Sequence, residues 1–205
     1  MSLRSSASVT STIEPVPQGT HLAVCSLLVD LGMQYNKTYK KSQQKILIGW
    51  EIPEETYVDA DGVEKPKVVY NRYTNSLNEG CTLRRDLAAW RGRDFTPEEL
   101  ADFDLQSIVG KSCYLNIIHN ENNGKVYANI SSIIALPKNA AKGKLSGNPL
   151  IFDLDPASVE DVDKLPKWIG DVVKQSSTYQ DKLTSSYQVE TPAFQELEDD
   201  GELPF

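Results

Sequence analysis

The sequence predicts a mainly β protein with a helical insertion, and three observations support this class. From residue 20 to residue 77, apolar side chains form strand-like runs separated by turn residues. The spacing then becomes helical between about residues 81 and 109. Alternation returns in a hairpin that ends before Pro137. The expected order is therefore three strands, a helical insertion and two further strands.

Three strands are predicted before the insertion. The first covers residues 21–35 and bends at Gly32, where an interior glycine favours a bulge. The second covers residues 40–55, and Pro53 should end it because proline cannot donate to a strand ladder. One face of this strand is formed by Ile46, Ile48, Trp50 and Ile52. A turn-rich loop leads to the third strand at residues 67–77.

Two helices are predicted in the insertion. The apolar stripe of the first is formed by Leu83, Leu87 and Trp90. Thr82 is its expected N-cap and Gly92 its expected end. Thr96 and Glu99 have the spacing of a capping box, with a proline at the first helical position between them. The insertion should therefore contain one helix of about three turns and one shorter helix.

The hairpin after the insertion completes the pattern. Leu115 and Ile117 alternate with Tyr114 and Asn116, and alternation resumes after a turn rich in asparagine and glycine. Five strands with a helix between the third and fourth is the order of the OB-fold, a small five-stranded barrel. A five-stranded sheet with other connections fits the same pattern.

The chain divides into four predicted parts. They are a disordered N-terminal arm (residues 1–18), the OB-fold domain (residues 19–137, with the helical insertion at about 81–109), a basic linker and docking helix (residues 138–176), and a flexible acidic tail (residues 177–205). The linker carries Lys138, Lys142 and Lys144. The helix presents Ile169, Val172 and Val173 with Trp168, and it should dock on the barrel.

The charge is distributed unevenly along the chain. The formal net charge is −8, but residues 190–205 hold six acids and no base, which leaves 23 acids and 21 bases in the rest. A near-neutral body can still carry a basic face. Three scattered cysteines favour reduced thiols, and no segment is long and apolar enough to span a membrane. A soluble, cytoplasmic protein is expected.

No arrangement of catalytic residues can be recognised. His21 and His119 lie on different predicted strands, neither at metal-ligand spacing from another histidine or cysteine. Phosphate-binding loops and nucleophile elbows are not found. Acid pairs such as Glu98-Glu99 suit helix starts, where carboxylates favour the helix dipole. The sequence predicts no enzyme, cofactor or metal site, and a Mg²⁺-dependent nuclease is the least favoured alternative.

Aromatic and basic residues alternate along the predicted strands, which is typical of surfaces that bind single-stranded nucleic acid. The candidates for base stacking are Trp50, Tyr70, Tyr73, Tyr114 and Tyr127. The candidates for phosphate binding are Lys45, Lys65, Lys67, Arg72, Arg84, Arg85, Arg91, Arg93, Lys111 and Lys125.

Several of these candidates have an alternative explanation. Trp50 shares a face with three isoleucines, so packing in the core is at least as favoured as stacking. Tyr70 and Tyr73 must point to opposite faces, and we expect Tyr73 to be buried and Tyr70 to share the face of Arg72. Tyr114 and Tyr127 alternate away from the apolar residues and could lie side by side across the hairpin.

The end of the chain suggests a family. The segment Glu196–Phe205 is a run of acids followed by an apolar tip, and it resembles the tip of bacterial single-stranded DNA-binding proteins, which ends in Pro-Phe. The body resembles the phage-encoded members in the stretches WEIP, RYTNSL, LRRDLAAWRGRDFTPEEL, VGKSCYLNI and LPKWIGDVVKQS. This resemblance covers roughly residues 20–180 and the tip.

The resemblance implies a protein that coats single-stranded DNA with little sequence preference during phage replication, recombination or repair in the bacterial cytoplasm. It implies that the tip docks replication or recombination proteins and competes with DNA, and it allows a homo-oligomer. The implied partner-binding residues are Asp199, Asp200, Glu202, Leu203, Pro204 and Phe205. The alternative is an OB-fold adaptor that binds other proteins and no DNA.

Deletion of Glu196–Phe205 should leave the fold intact, raise the affinity for single strands and abolish binding to replication partners, because a polyanionic tail competes with phosphates. Fluorescence anisotropy of labelled oligo-dT with the full chain and with residues 1–195 measures the first effect. Phe205→Ala is the matched variant: it should weaken partner binding alone. A loss of DNA affinity on deletion would place the tail inside the DNA site instead.

Overall fold

A computed structural model describes residues 14–189, and most of the predicted arm and the acidic tip lie outside these residues. The strands are β1 (Gly19–Asn36), β2 (Lys41–Val58), β3 (Glu64–Thr74), β4 (Ser112–Asn122), β5 (Lys125–Ile134) and β6 (Leu150–Phe152). The helices are α1 (Thr82–Arg91), α2 (Pro97–Ala101), α3 (Lys167–Lys174) and α4 (Ser177–Val189), with 3-10 turns at Leu105–Ile108 and Glu160–Lys164. The predicted mainly β class with an insertion between β3 and β4 is confirmed.

The strands form one sheet in the order β3-β2-β1-β4-β5, with antiparallel neighbours. The long strand β1 pairs with β4 from Gly19 to Val24 and then in parallel with β6 from Leu27 to Val29. A β-bulge lies between these two segments of β1, and bulges bend strands. Within residues 14–189 no strand pairing joins β3 to β5, so the sheet is open between them.

The inner face of the sheet packs against the insertion. Trp50 on β2 is fully buried, and its ring lies 5.7 Å from the ring of Trp90 on α1. Leu83 and Leu87 complete the stripe predicted for α1, and both are buried. The indole N–H of Trp90 donates to the Ser112 carbonyl at 3.0 Å. Burial of each large apolar side chain contributes about 1.5–3 kcal/mol, so this contact fixes α1 on the sheet.

The outer face of β1 and β2 packs against the C-terminal segment that contains helix α3. Val29 and Leu47 on the strands belong to the same buried cluster as Leu154, Ile169 and Val173. Strands buried on both faces have nearly continuous apolar sequences, as β1 does between residues 22 and 31. No helix among residues 14–189 is long and apolar enough to cross a membrane.

Some predicted boundaries are wrong. Pro53 does not end β2, because pairing of β2 with β1 stops at Glu51 and the pairing with β3 is irregular between Ile52 and Thr56. The missing N–H of Pro53 therefore breaks no ladder. The N-cap of α1 is the residue before Thr82, and it makes no side-chain cap bond, whereas Gly92 ends the helix as expected in the left-handed conformation. The predicted capping box of α2 is present.

Strict alternation along β5, which would place Ile130 and Ile134 on one face, is broken by a bulge. Asn116 is opposite Ser132 while the next residue, Ile117, is opposite Ile130, so Ser131 is an extra residue. Its hydroxyl donates to the Asn116 carbonyl at 3.0 Å. The bulge reverses the alternation: Ile133 is buried and Ile134 is exposed.

The predicted arm and tail both extend too far into the chain. Val16 is buried, and its carbonyl accepts a hydrogen bond from Nε2 of His119 at 2.7 Å. Residues 177–189 form helix α4, in which Tyr179 is buried. The hydroxyl of Thr178 accepts the N–H of Met33 at 3.0 Å, which ties α4 to β1. Strand β6 was not anticipated.

Ile169→Ala should lower the free energy of unfolding by about 2–5 kcal/mol, because it removes a fully buried side chain between α3 and the sheet. Urea unfolding measures the change. Ile134→Ala is the matched control: this side chain is 45% exposed, and its loss should cost well under that amount. Equal costs for the two variants would contradict the docking of α3.

Candidate nucleic-acid interface

The outer face of β2 and β3 carries the most promising group of predicted residues. Alternation places Tyr70 and Arg72 outward and Tyr73 inward, as the sequence predicted. Tyr70 is opposite Gly49 on β2, Arg72 is opposite Leu47, and Lys45 follows in the same outward row. Trp168 of α3 contacts Tyr70 from the side. We call Lys45, Tyr70, Arg72 and Trp168 the outer strip.

Tyr70 lies directly over a glycine. A Cβ atom at Gly49 would be 2.9 Å from Cδ1 of Tyr70, so only glycine leaves room for this ring on the sheet. The Trp168 ring meets Tyr70 edge-on, with ring centroids 5.0 Å apart and planes at 70°. Burial raises the pKa of the Tyr70 hydroxyl above its usual value. Tyr70 and Trp168 nevertheless remain 42% and 46% exposed, so both rings are held in place and accessible.

The basic groups of the outer strip are not neutralised by acids. The Arg72 side chain is exposed and makes no hydrogen bond or ion pair with any residue in the described part of the chain. The ammonium of Lys45 donates to the Thr74 hydroxyl at 2.5 Å and to the Gln43 side chain at 3.1 Å, which are both neutral partners. Their positive charges are therefore available to an anion.

A cleft of about 440 Å³ continues from Tyr70 between the edges of β3 and β5. Tyr57 and Lys67 line one side of it and Tyr127 lines the other. Lys67 is 3.7 Å from Glu55, a long ion pair, and Lys125 is exposed near Tyr127. The cleft thus extends the outer strip by two tyrosines and by Lys67, whose ammonium is paired with Glu55.

The tip of the β1–β2 hairpin is a further aromatic and basic group, which the sequence analysis missed. Tyr35 and Tyr39 are 61% and 73% exposed, and Lys37, Lys40 and Lys41 lie between and beside them. The side chain of Asn36 accepts the backbone N–H groups of Thr38 and Tyr39 at 2.9 and 3.2 Å, which shapes the turn. The run YNKTYKK at a predicted strand end was the available signal.

Two predicted stacking residues are not available, and the prediction is wrong for them. Trp50 is fully buried in the inner core, as its three isoleucine neighbours had indicated. Tyr73 is 3% exposed, and its hydroxyl donates to Asp86 at 3.0 Å. Desolvation, with the nearby Asp86 carboxylate, raises the pKa of Tyr73.

The predicted pair of tyrosines across the hairpin is also wrong. Tyr114 is opposite Ile134, near the base of the hairpin, whereas Tyr127 is opposite Asn120, near its turn. The short turn at Asn123-Gly124 fixes this register. Tyr114 is half-buried, and only Tyr127 lines the cleft.

The four arginines of the insertion already form ion pairs with carboxylates. The pairs are Arg84–Asp94 at 3.2 Å, Arg85–Asp86 at 3.0 Å, Arg93–Glu99 at 2.6 Å, and Arg91–Glu99. The Arg91 guanidinium also lies 4.4 Å from the Phe95 ring centre. The Arg91–Glu99 pair joins α1 to α2. All four arginines belong to the insertion, which packs on the inner face of the sheet, so the structure does not bring them to the outer strip.

Two predicted lysines lie outside the strip as well. Lys65 is paired with Asp59 at 2.6 Å beside the β2–β3 turn. Lys111 is exposed before β4, and its carbonyl accepts the N–H of Cys25 at 3.0 Å. Of the predicted residues, the structure therefore brings together Lys45, Lys67, Tyr70, Arg72 and Tyr127, and Lys125 lies two residues from Tyr127 on β5. It adds Tyr57 and Trp168, the latter predicted only as part of a docking helix.

Comparison with known proteins gives no assignment. No protein-family model matches the chain, and no curated protein matches it either. The geometry of the outer strip and the sequence are therefore the two sources of information on function.

Glu99→Gln should destabilise the protein at neutral pH, because hydrogen bonds from Arg93, and then from Thr96 and Arg91, lower the pKa of Glu99 from 4.5 to about 2. The depressed pKa stabilises the fold above pH 4.5, and this stabilisation is lost as the pH falls towards 2. Glutamine keeps the capping box but not the charge. Urea midpoints of wild type and variant should converge across this window.

Glu79→Gln is the control for this variant, since Glu79 is exposed in the loop before α1 and has no ion pair with a described residue. Its urea midpoint should follow the wild type at every pH. A constant difference between wild type and Glu99→Gln would contradict the role of the charge.

Proposed function

We propose that this protein binds single-stranded DNA with little sequence preference and that the outer strip is its binding surface. The observation that carries the proposal is the exposed Tyr70–Trp168 ring pair beside the unneutralised bases Arg72 and Lys45. Aromatic rings in a basic groove are the usual means of binding single strands without reading sequence.

The fold supports this proposal. An OB-fold is a partly open five-stranded barrel that binds oligonucleotides on the face of its second and third strands and on two loops. We propose that β1 to β5 form such a barrel, with β3 and β5 facing each other across the cleft at Tyr70. The outer strip then lies on the binding face, and the hairpin tip with Tyr39 lies at the first loop.

The proposed binding mode follows from the chemistry of the strip. A base stacks on the exposed face of Tyr70 or Trp168, and each such contact is worth about 1–3 kcal/mol. Arg72 and Lys45 bind the adjacent phosphates, and each phosphate neutralised on a single strand adds about 0.7 to the salt slope of binding. A duplex keeps its bases stacked inside, so it offers phosphates but no ring faces. The mode includes no catalytic step.

The cellular role that we propose comes from the sequence resemblance. The protein would coat single strands during phage DNA replication, recombination or repair in the host cytoplasm, and its acidic tip would recruit partner proteins. The strip supports the DNA-binding part of this role only. The alternative, an adaptor that binds proteins alone, predicts that oligonucleotides do not bind.

Tyr70→Ala should weaken binding of oligo-dT by about 5- to 150-fold, since it removes one stacking platform. Fluorescence anisotropy across a salt series measures the affinity. Tyr70→Phe is the matched control and should keep most of it, because the hydroxyl makes no direct hydrogen bond in the described structure. Thermal unfolding of each variant checks that the sheet is intact around Gly49.

Arg72→Gln tests the phosphate contacts in the same assay. The salt slope should decrease by about 0.7, whereas Arg85→Gln should leave it unchanged because Arg85 lies in the insertion and binds Asp86. If Tyr70→Ala and Arg72→Gln both bind like the wild type, the outer strip is not the site. If the wild type binds no single strand, the proposed function is wrong, as the adaptor alternative predicts.

A further inference from the structure

The linker between β5 and β6 is held on the sheet, although its sequence predicts a loose segment. A Cβ atom at Gly143 would lie 2.4 Å from Cγ2 of Val24, a fully buried side chain on β1. Glycine is therefore required for the backbone to approach the strand so closely. The Ser112 hydroxyl donates to the Gly143 carbonyl at 3.4 Å, a weak second contact.

A buried carboxylate fixes the linker three residues further on. Glu51 of β2 is only 8% exposed, and its Oε2 accepts the backbone N–H of Ser146 at 2.9 Å. A buried charge is costly unless it is hydrogen-bonded, so the Glu51 side chain and the linker stabilise each other. Gly143 and Ser146 are thus two anchor points, and the residues between them have a defined position.

Lys144 lies within this anchored segment, and Lys142 directly precedes it. Lys142 and Lys144 flank Gly143, both are exposed, and neither forms an ion pair with a carboxylate among residues 14–189. Lys144 lines a shallow depression with Pro53, Thr56 and Pro66 at the far end of β2 and β3. Glu64, also in this depression, accepts a hydrogen bond from Thr56 at 2.6 Å.

The position of these lysines relative to the outer strip follows from the register. Tyr70 is opposite Gly49, and the next outward residue of β2 is Glu51, which holds the linker. Successive outward residues on a strand are about 7 Å apart. The linker therefore lies directly beyond Tyr70, on the side away from Arg72 and Lys45.

We infer that Lys142 and Lys144 bind phosphates of the single strand where it continues beyond Tyr70, and that Gly143 and Glu51 are positioning residues for them. The inference rests on the proposed function. It assigns the strand a path along the outer face, from the β1–β2 hairpin tip, across Tyr70 and Trp168, to the linker. A short oligonucleotide that covers only the ring pair would not reach these lysines.

The test compares two lengths of oligo-dT, a dinucleotide, which covers only the ring pair, and about 15 nucleotides, within the range of site sizes of one OB-fold. In the double variant Lys142→Gln/Lys144→Gln, the salt slope for the long oligonucleotide should decrease by about 1.4, and the slope for the short one should not change. Lys164→Gln/Lys174→Gln is the matched control, since it removes the same charge from lysines paired with Asp161 and Asp163.

The Gly143→Ala variant tests the position of Lys142 and Lys144 separately from their charge. It keeps both lysines but forces the linker away from Val24, so the affinity for the long oligonucleotide should fall several-fold while the short one binds as before. Thermal unfolding identifies a variant that fails to fold, and in that case the double lysine variant decides alone.

The outcomes distinguish the inference from the proposal on which it rests. An unchanged long-oligonucleotide slope in the double lysine variant, with Tyr70→Ala still weakening binding, would overturn the role of the linker and leave the outer strip as the site. Equal changes in the salt slope for the short and the long oligonucleotide would also overturn the role of the linker. A wild-type protein that binds neither length would overturn both.

Discussion

The burial of β1 and β2 on both faces is the constraint on which the rest of the structure depends. Trp50 and its inward neighbours pack against the insertion, while Val29 and Leu47 pack against the C-terminal helices. Side chains of β1 are therefore buried in two hydrophobic clusters, one on each face of the sheet. Among the described strands, the accessible rings and bases therefore lie on β3, at the ends of β2 and at the hairpin tips.

The same constraint makes the C-terminal helix part of the candidate site. Gly49 lets the Tyr70 ring lie on β2, and docking of α3 through Ile169 brings Trp168 against that ring. A rigid ring is a better stacking platform because less conformational entropy is lost on binding. The contact between α3 and the sheet thus stabilises both the hydrophobic cluster on the outer face of β1 and β2 and the Tyr70–Trp168 ring pair.

Local patterns made much of this structure predictable, whereas features decided by distant pairing were not. The stripe of α1, the capping box at Thr96 and the opposite faces of Tyr70 and Tyr73 follow from spacing alone. The bulge at Ser131 inverts a face through one extra residue, which no period reveals. β6 pairs with the part of β1 that lies beyond the end of the β1–β4 pairing. The orientation of Trp168 depends on the docking of α3.

The arrangement of acids, more than that of bases, determines where a polyanion can bind. The insertion has four arginines, but a phosphate there would have to displace Glu99 or Asp94 from an existing ion pair. Arg72 and Lys45 have no such competitor among the described residues, so a phosphate gains their full attraction. A count of basic residues along the sequence favours the insertion as the site for a polyanion. The arginines there are already paired with carboxylates, which favours β3 as the site instead. The linear sequence therefore does not reveal which bases are paired with carboxylates, and the folded structure does.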